Sequence, residues 1–580
     1  MKRKRETQGQ DDGDGDGGRV EPARTSRGSD SGSGTATTTA AAARAQPLAD
    51  GGRDRLSALP HELLLRILQQ LPLRAILLCQ RLNRDWQRLA VDAQVWKGLY
   101  YRRWMRPLRA PVPRRRGGLG LPEFLRRRRE RMEGALLRPG GGSGGVADGG
   151  PTDWKARYRL RHNWSIGAAE VRELTLGSDG EQPADGGPGR VGDGDVLLAR
   201  LVDGLVVTAD ARDGLRAWDL KGRRCVAKCG LETTASMTPS CLGVDTASGA
   251  KDGVRVVVGF ADGGFWVWRL RLDKDGEGVF ESLYGHRPRR REVHGHQRLA
   301  AVAYAHPYLL TITSEQALWL YSLDEATATP PDDAGARQPR LLTSLKSHTS
   351  WPPLSLSIRP SPQSIVVSIA YALPTYLGGW SVGLQELHLT SSGSVSHSRI
   401  ATAVEQGFQP LHRAPDPAQP PRASDGRGSG SSGSSSSSSS AASSGRPASL
   451  SYAHPYLLAG NRDNTLTLYL VTSDAARLEI GAGTRLWGHT SSVAGAHVGG
   501  RGRAVSISAR GGELRVWELE AGLLGVVGDR SVRVRAEVKD ETETETEPAR
   551  RAWVEFDDEV VIVLKDGADR EKALAVYDFT

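Results

Sequence analysis

Apolar positions follow two rhythms along this chain. Between residues 56 and 100, Leu63, Leu64, Ile67, Leu68 and Leu71 recur at helical spacing. Pro60 falls in the first turn, where its missing N–H costs nothing, and Pro72 stops the run. A second helical run starts at Leu73 and uses Ile76 and Leu77; Trp86, Leu89, Trp96 and Leu99 extend the pattern through a third. Further on, the period shortens to two. Alternating segments, each closing on an aromatic residue, occur as LRAWDL at 215–220, FWVWRL at 265–270, LWLYSL at 318–323, LTLYLV at 466–471, LRVWEL at 514–519 and LAVYDF at 574–579, with a poorer copy in WSVGLQELHL at 380–389. Where no low-complexity tract intervenes they lie about fifty residues apart, the length of one propeller blade.

The repeat extends beyond the aromatic strand. YAHPYLL occurs at both Tyr304–Leu310 and Tyr452–Leu458, each time ahead of a turn and an aromatic strand by the same interval. The copies therefore occupy one position in two blades, and Pro307 and Pro455 fit a hairpin turn, where no ladder donor is lost. Their offset of 148 residues equals two blades once the serine-rich tract at 405–449 is set aside. Asp262, Glu315 and Asp463 stand six positions before an aromatic, where a carboxylate can accept from turn amides. AEVREL at 169–174 is placed to supply the outer strand of the last blade, closing the ring with N-terminal sequence.

Composition narrows the class. The first 54 residues are rich in Gly, Asp, Ser, Thr and Ala and read as a disordered tail; KDETETETEPARR at 539–551 reads as an exposed acidic loop. Four cysteines in 580 residues, without a metal-type spacing, fit a reducing intracellular compartment, nuclear or cytoplasmic. No apolar run has membrane length. The net charge of +10 is concentrated in runs such as MKRKR, RRR at 114–116 and RRRRER at 126–131, with neither a stacking platform nor a recognition helix beside them; nucleic acid is not the expected partner. Apparent catalytic patterns lack their context. Gly141-Gly142-Ser143-Gly144-Gly145 has no strand before it or helix after it, and Ala23 replaces the carboxylate that a calcium loop starting at Asp12 requires. No catalytic residue, cofactor or metal ligand is assigned.

The helical segment carries more large apolar side chains than one small core can use, including Leu65 and Leu78 off the main stripes, so a partner surface is expected. It resembles an F-box: Leu59, Pro60, Glu62, Ile67, Leu68, Trp86, Trp96 and Leu99 meet that pattern, while Asn83 stands where many members have Cys. Trp154, Tyr158, Arg161, Asn163, Trp164 and Gly167 are similar to the connector that leads into the propeller in F-box proteins of the WD-repeat class. Gly285-His286, Gly295-His296 and Gly488-His489 resemble the pair that opens many WD-repeat blades, and His489, Ser508 and Trp517 resemble the side-chain network of that family, with Gly511 where its Asp would be.

The resemblance implies a multidomain chain: a tail at 1–54, a small all-α F-box of three helices at 55–104, a helical and flexible connector at 105–165, and an all-β WD-repeat-like propeller of seven blades at 166–580. It further implies a non-catalytic substrate receptor of a Skp-cullin-F-box ubiquitin ligase. Leu59, Pro60, Leu63, Ile67, Leu73 and Trp96 would dock the Skp-type adaptor, and through it the cullin-RING ligase. Arg216 and Arg515, two residues before the aromatic in LRAW and LRVW, stand where some members hold a phosphorylated degron of a client protein. A propeller scaffold outside any ligase, and a basic chromatin- or RNA-associated propeller, are the alternatives.

Overall fold

The computed structural model describes residues 56, 59–105, 153–176, 196–231, 237–245, 253–273, 276–288, 298–324, 336–346, 351–361, 364–375, 379–403, 446–474, 477–509, 513–519, 531–536, 553–566 and 572–580. The tail, the basic segment after Met105, nearly all of the serine-rich tract, the acidic segment, Gly295-His296 and Gly511 lie outside them.

Four short helices form the F-box: α1 (His61–Gln70), α2 (Leu73–Cys79), α3 (Arg84–Val91) and α4 (Ala93–Tyr100). The third apolar run read from the sequence is divided in two at Asp92. There the backbone turns to φ −54° and ψ 136°, and the side chain accepts from the Gln94 amide at 2.7 Å, starting a new helix. Asn83 caps α3 in the same way, accepting from Trp86 N at 2.8 Å. Leu64, Leu68, Ile76, Leu89, Val95, Trp96 and Leu99 close the core. A π-helical stretch, Tyr101–Met105, continues α4, and α5 (Trp154–Ile166) follows, capped by Asp153.

The rest is a ring of seven antiparallel sheets. All seven aromatic segments are third strands: Gly214–Asp219, Phe265–Leu272, Ala317–Ser322, Trp380–Leu389, Leu466–Ser473, Leu514–Glu518 and Lys572–Asp578 in blades one to seven. Blade five has its outer strand in two pieces, Leu478–Ile480 and Thr484–Leu486, both paired with the third strand. Ala168–Thr175 pairs antiparallel with Lys572–Asp578, so the expected closure by N-terminal sequence is present. Arg535–Ala536, leaving blade six, adds to the other edge of that closing strand in parallel.

Alternate side chains of each strand face the two neighbouring blades, which is why inner strands such as Leu205–Asp210 are buried at every position. Val206 packs towards blade seven and Val207 towards blade two. Apolar clusters fill each of the seven junctions in this way. Polar links reinforce them. The Leu201 amide of blade one donates to Glu555 of blade seven at 2.9 Å, and the Tyr284 hydroxyl of blade two donates to the Leu323 carbonyl at 2.7 Å. Glu386, fully buried in blade four, accepts from Arg359 at 2.8 Å and from Ser473 of blade five at 2.5 Å.

The duplicated heptapeptide forms the first hairpin of blades three and five, with His306-Pro307 and His454-Pro455, both cis, at the turn. Asp262 and Asp463 cap their turns, accepting from Gly264 N at 2.8 Å and Thr465 N at 3.2 Å. In blade six the side-chain network has a different hydroxyl from the one expected. Ser506, not Ser508, accepts from Trp517 Nε1 at 2.7 Å and lies 2.6 Å from His489 Nε2; both serines share the indole's face, and Ser506 is the one nearer to Ala504, which pairs with Trp517. Glu513 supplies the carboxylate, 3.6 Å from His489 Nδ1 and bonded to Thr490 through both its amide and hydroxyl. Burial raises the Glu513 carboxyl, but the Thr490 amide, Arg515 and the Thr490 hydroxyl outweigh that and hold it at about 2.

Two stability tests follow. Ser506→Ala leaves the buried Trp517 N–H and His489 Nε2 without their shared partner and should cost about 1–3 kcal/mol, read by denaturant melts of the propeller. Burial, with the charge on Arg359, depresses the His454 imidazole from 6.5 to about 4. The unfolded chain therefore binds the additional proton between those values, so this contribution is full above pH 6.5 and is lost as pH falls towards 4. Melting temperature should drop across that window, and His454→Gln should flatten the slope.

Candidate functional site: two faces and the joint between them

Within an antiparallel blade, the start of the first strand, the end of the second, the start of the third and the end of the fourth lie on one face of the ring. The opposite ends lie on the other. Helix α5 is seated on that second face. Its Trp164 is buried and stacks on Phe579, just past the third strand of blade seven, with ring centroids 3.9 Å apart and planes 10° apart. The indole N–H donates to the Asp558 carbonyl, in the first hairpin turn of blade seven, at 2.9 Å. Arg503, where the second strand of blade six starts, lays its guanidinium 4.2 Å from the indole centroid. Asn163 donates to the Phe579 carbonyl at 2.9 Å. At Gly167 the chain leaves the helix with φ +70°, and a Cβ there would stand 2.5 Å from the Arg533 carbonyl oxygen, so both conformation and space require glycine.

The other side of α5 grips the F-box. Tyr158 meets Trp96 edge-on at 5.4 Å and Trp104 at 4.8 Å, Trp154 meets Tyr100 at 5.8 Å, and Arg161 donates to the Tyr100 hydroxyl at 2.8 Å. One helix thus packs at once against α4 and against blades six and seven.

That contact corrects the sequence reading of Trp96. Placed among the docking residues, it is only 3% exposed, donates its indole N–H to the Ala90 carbonyl at 2.9 Å and packs on Tyr158; its size serves the junction with α5. Leu63 and Ile67, by contrast, are 46% and 40% exposed, roughly 100° round α1 from Leu64 and Leu68. Leu73 is half-buried, Leu59 is half-buried and Pro60 is exposed. Leu77, one of the apolar positions of the second run, is 43% exposed, and Leu78 and Leu82 are 62% and 67% exposed. The excess of apolar side chains was visible in the sequence for Leu78; Leu77 and Leu82 were missed because α2 is only two turns long and its inward face needs little beyond Ile76.

Arg216 and Arg515 are held within different blades, the first and the sixth. Arg216 is 4% exposed, bonded to Asp213 at 2.7 Å, 3.5 Å from Asp210, and set against the Trp218 ring. Arg515 donates to Glu513 at 2.8 Å and to Ser531 at 3.0 Å. Each guanidinium neutralises carboxylates that order its own blade's turns.

No described helix is long and apolar enough to cross a membrane. Among the described residues no three His, Cys, Asp or Glu side chains are grouped so as to hold a metal. Burial pushes the Cys241 thiol up to about 11, away from thiolate chemistry.

Comparison with known proteins follows these two parts. The F-box-like family profile matches residues 56–102, and the profile described as the F-box protein pof12 beta-propeller matches residues 193–580. No curated protein matches the chain. Among solved structures, the computationally designed Ika8 protein is 15% identical, covering 66% of this chain and 83% of its own at a TM-score of 0.32. The Cps50 (Swd1) β-propeller domain of Myceliophteria thermophila is 11% identical, covering 67% and 99% at 0.37. BBS1N, solved in complex with ARL6DN, is 11% identical, covering 67% and 92% at 0.36. At these scores no argument rests on the structural likenesses. With an F-box ahead of a seven-bladed ring, and a family match running through more than half of its length, the chain belongs to the F-box protein pof12 β-propeller family.

Proposed function

We propose that the chain is the substrate receptor of a Skp-cullin-F-box ubiquitin ligase, acting inside the cell without catalysing a bond change itself. Its F-box docks a Skp-type adaptor, and its propeller holds a client close enough to a charged conjugating enzyme for a client lysine to react. What such a protein contributes is effective concentration and orientation, and both require that the two docking surfaces keep a fixed relation. The observation that carries the reading is the double packing of α5, with Trp154, Tyr158 and Arg161 on the F-box and Trp164 on the propeller. A scaffold with no distance to maintain would not need that joint. The outward Leu63, Ile67, Leu77, Leu78 and Leu82 offer the adaptor an apolar surface on helices too short to bury it themselves.

Two experiments test it. With a Skp-type adaptor co-expressed, the full chain should co-elute with adaptor and cullin. Leu63→Asp combined with Leu78→Asp should abolish co-elution while leaving the melting temperature within a few degrees, since both side chains lie outside the buried core. Retained co-elution in that variant would remove the assigned surface, and absence of adaptor and cullin from the wild-type complex would remove the receptor reading. Trp164→Ala should cost about 3–5 kcal/mol. Because it also frees the F-box from the ring, client ubiquitination should fall while adaptor binding persists.

A further inference from the structure

The face of the ring opposite α5 carries an exposed tryptophan. Trp487 sits at the end of the outer strand of blade five, before blade six begins, and is 68% exposed. A side chain of that size at water is uncommon, and its backbone is held firmly. At Gly488 beside it a Cβ would crowd Arg515, Ser531 and Trp517, the Thr490 amide is bonded to Glu513, and Asn464 from the neighbouring turn donates to the Thr490 carbonyl at 3.3 Å. The indole is thus presented on a rigid platform rather than on a loose loop, which lowers the entropy lost on binding.

Three exposed arginines of blade five lie towards the same face. Arg485 is exposed one position before the last residue of that outer strand, and Arg462 is exposed in the tight turn of blade five. Arg446, at the entrance to blade five, lies 5.7 Å from the ring of Trp380, where the third strand of blade four starts. Among the described residues of blade five, Asp463 is the exposed acid in the turn ahead of the third strand, while Asp474 and Glu479, also exposed, lie towards that strand's other end. Asp463 stands 3.9 Å from Arg485, too far and too wet to cancel it. Unlike Arg216 and Arg515, these guanidinium groups are not buried against blade carboxylates. Trp and Arg are the side chains that most often dominate binding energy at protein interfaces.

From the exposed indole and the surplus of cations we infer that the blade-five sector around Trp487 is a docking site for an acidic peptide segment: an apolar side chain rests on the indole and flanking carboxylates meet Arg485, Arg462 and Arg446. The inference deepens the receptor reading by giving its client surface a place and a chemistry, and it rests on that reading for the client's identity as a substrate.

The probe is a phage-displayed library of random dodecapeptides selected on the full chain. Enriched peptides should carry net negative charge around a Leu, Phe or Trp, and a fluorescent copy of the most enriched one should lose affinity about tenfold with Trp487→Ala. Arg485→Glu together with Arg446→Glu should shift the selection away from acidic peptides, and wild-type affinity should weaken with added salt. Because Trp487 is already largely in water, its replacement should leave melting unchanged, so lost binding cannot be lost folding. Peptides that bind Trp487→Ala equally well, that carry no negative charge, or that are not enriched over the Trp487→Ala protein overturn the site. Adaptor co-elution of the same variants separates the two ideas: acidic peptides bound by a chain that recruits no adaptor would leave the site standing and end the receptor reading.

Discussion

The arrangement of this protein depends on the burial of one indole. Trp164 belongs to a helix whose other face is committed to the F-box, yet its ring is inserted between Phe579 and Arg503 and its N–H reaches the Asp558 carbonyl. Stacking, cation–π contact and the indole hydrogen bond each fix a different direction of the same ring. Three residues later Gly167 turns the chain directly into the closing strand of blade seven. The segment that fastens the two parts together is therefore continuous with the strand that closes the propeller. Loosening either should loosen the other.

The same economy explains how much could be read from the sequence. A propeller strand is buried on both faces, so its residues are apolar throughout and alternation fades in the inner strands; Leu205–Asp210 has no exposed position. The signal survives in the third strands, where a large aromatic recurs beside a turn, and that made the blade count readable even for Trp380–Leu389, whose aromatic is displaced to its start. Turn chemistry was legible for a related reason. Asp262 and Asp463 act locally, on amides two residues away, and the proline of each duplicated heptapeptide lies in its hairpin.

What the sequence did not disclose depends on contacts between residues far apart in the chain. Ser506 and Ser508 are both hydroxyls on one face of one strand, and only the position of His489 and Trp517 selects the first. The expected acid at 511 is replaced by Glu513, which reaches the network from the base of the next strand. Trp96 is part of the F-box pattern, but its surroundings are supplied by Tyr158, 62 residues later. On α1 an apolar stripe five residues wide proves to be two stripes, Leu64 and Leu68 inward, Leu63 and Ile67 outward. Periodicity detects a helix with an apolar side; it does not separate the part that packs at home from the part left exposed.

Geometry then divides the labour between the ends of the ring. Among the described residues, Asn163, Trp164 and Arg503 join α5 to first-hairpin turns and a third-strand end, on one face of the ring, while third strands start on the other. On that other face, the guanidinium groups of Arg216 and Arg515 are already engaged by the acids that shape their turns, and breaking those pairs to receive a ligand would leave Asp210, Asp213 or Glu513 uncompensated in poorly hydrated positions. A ligand meets less opposition where the cations are still hydrated and a platform already stands. Chemistry at the central turns thus maintains the ring, which is why the proposed peptide site is placed away from them, beside the junction of blades five and six.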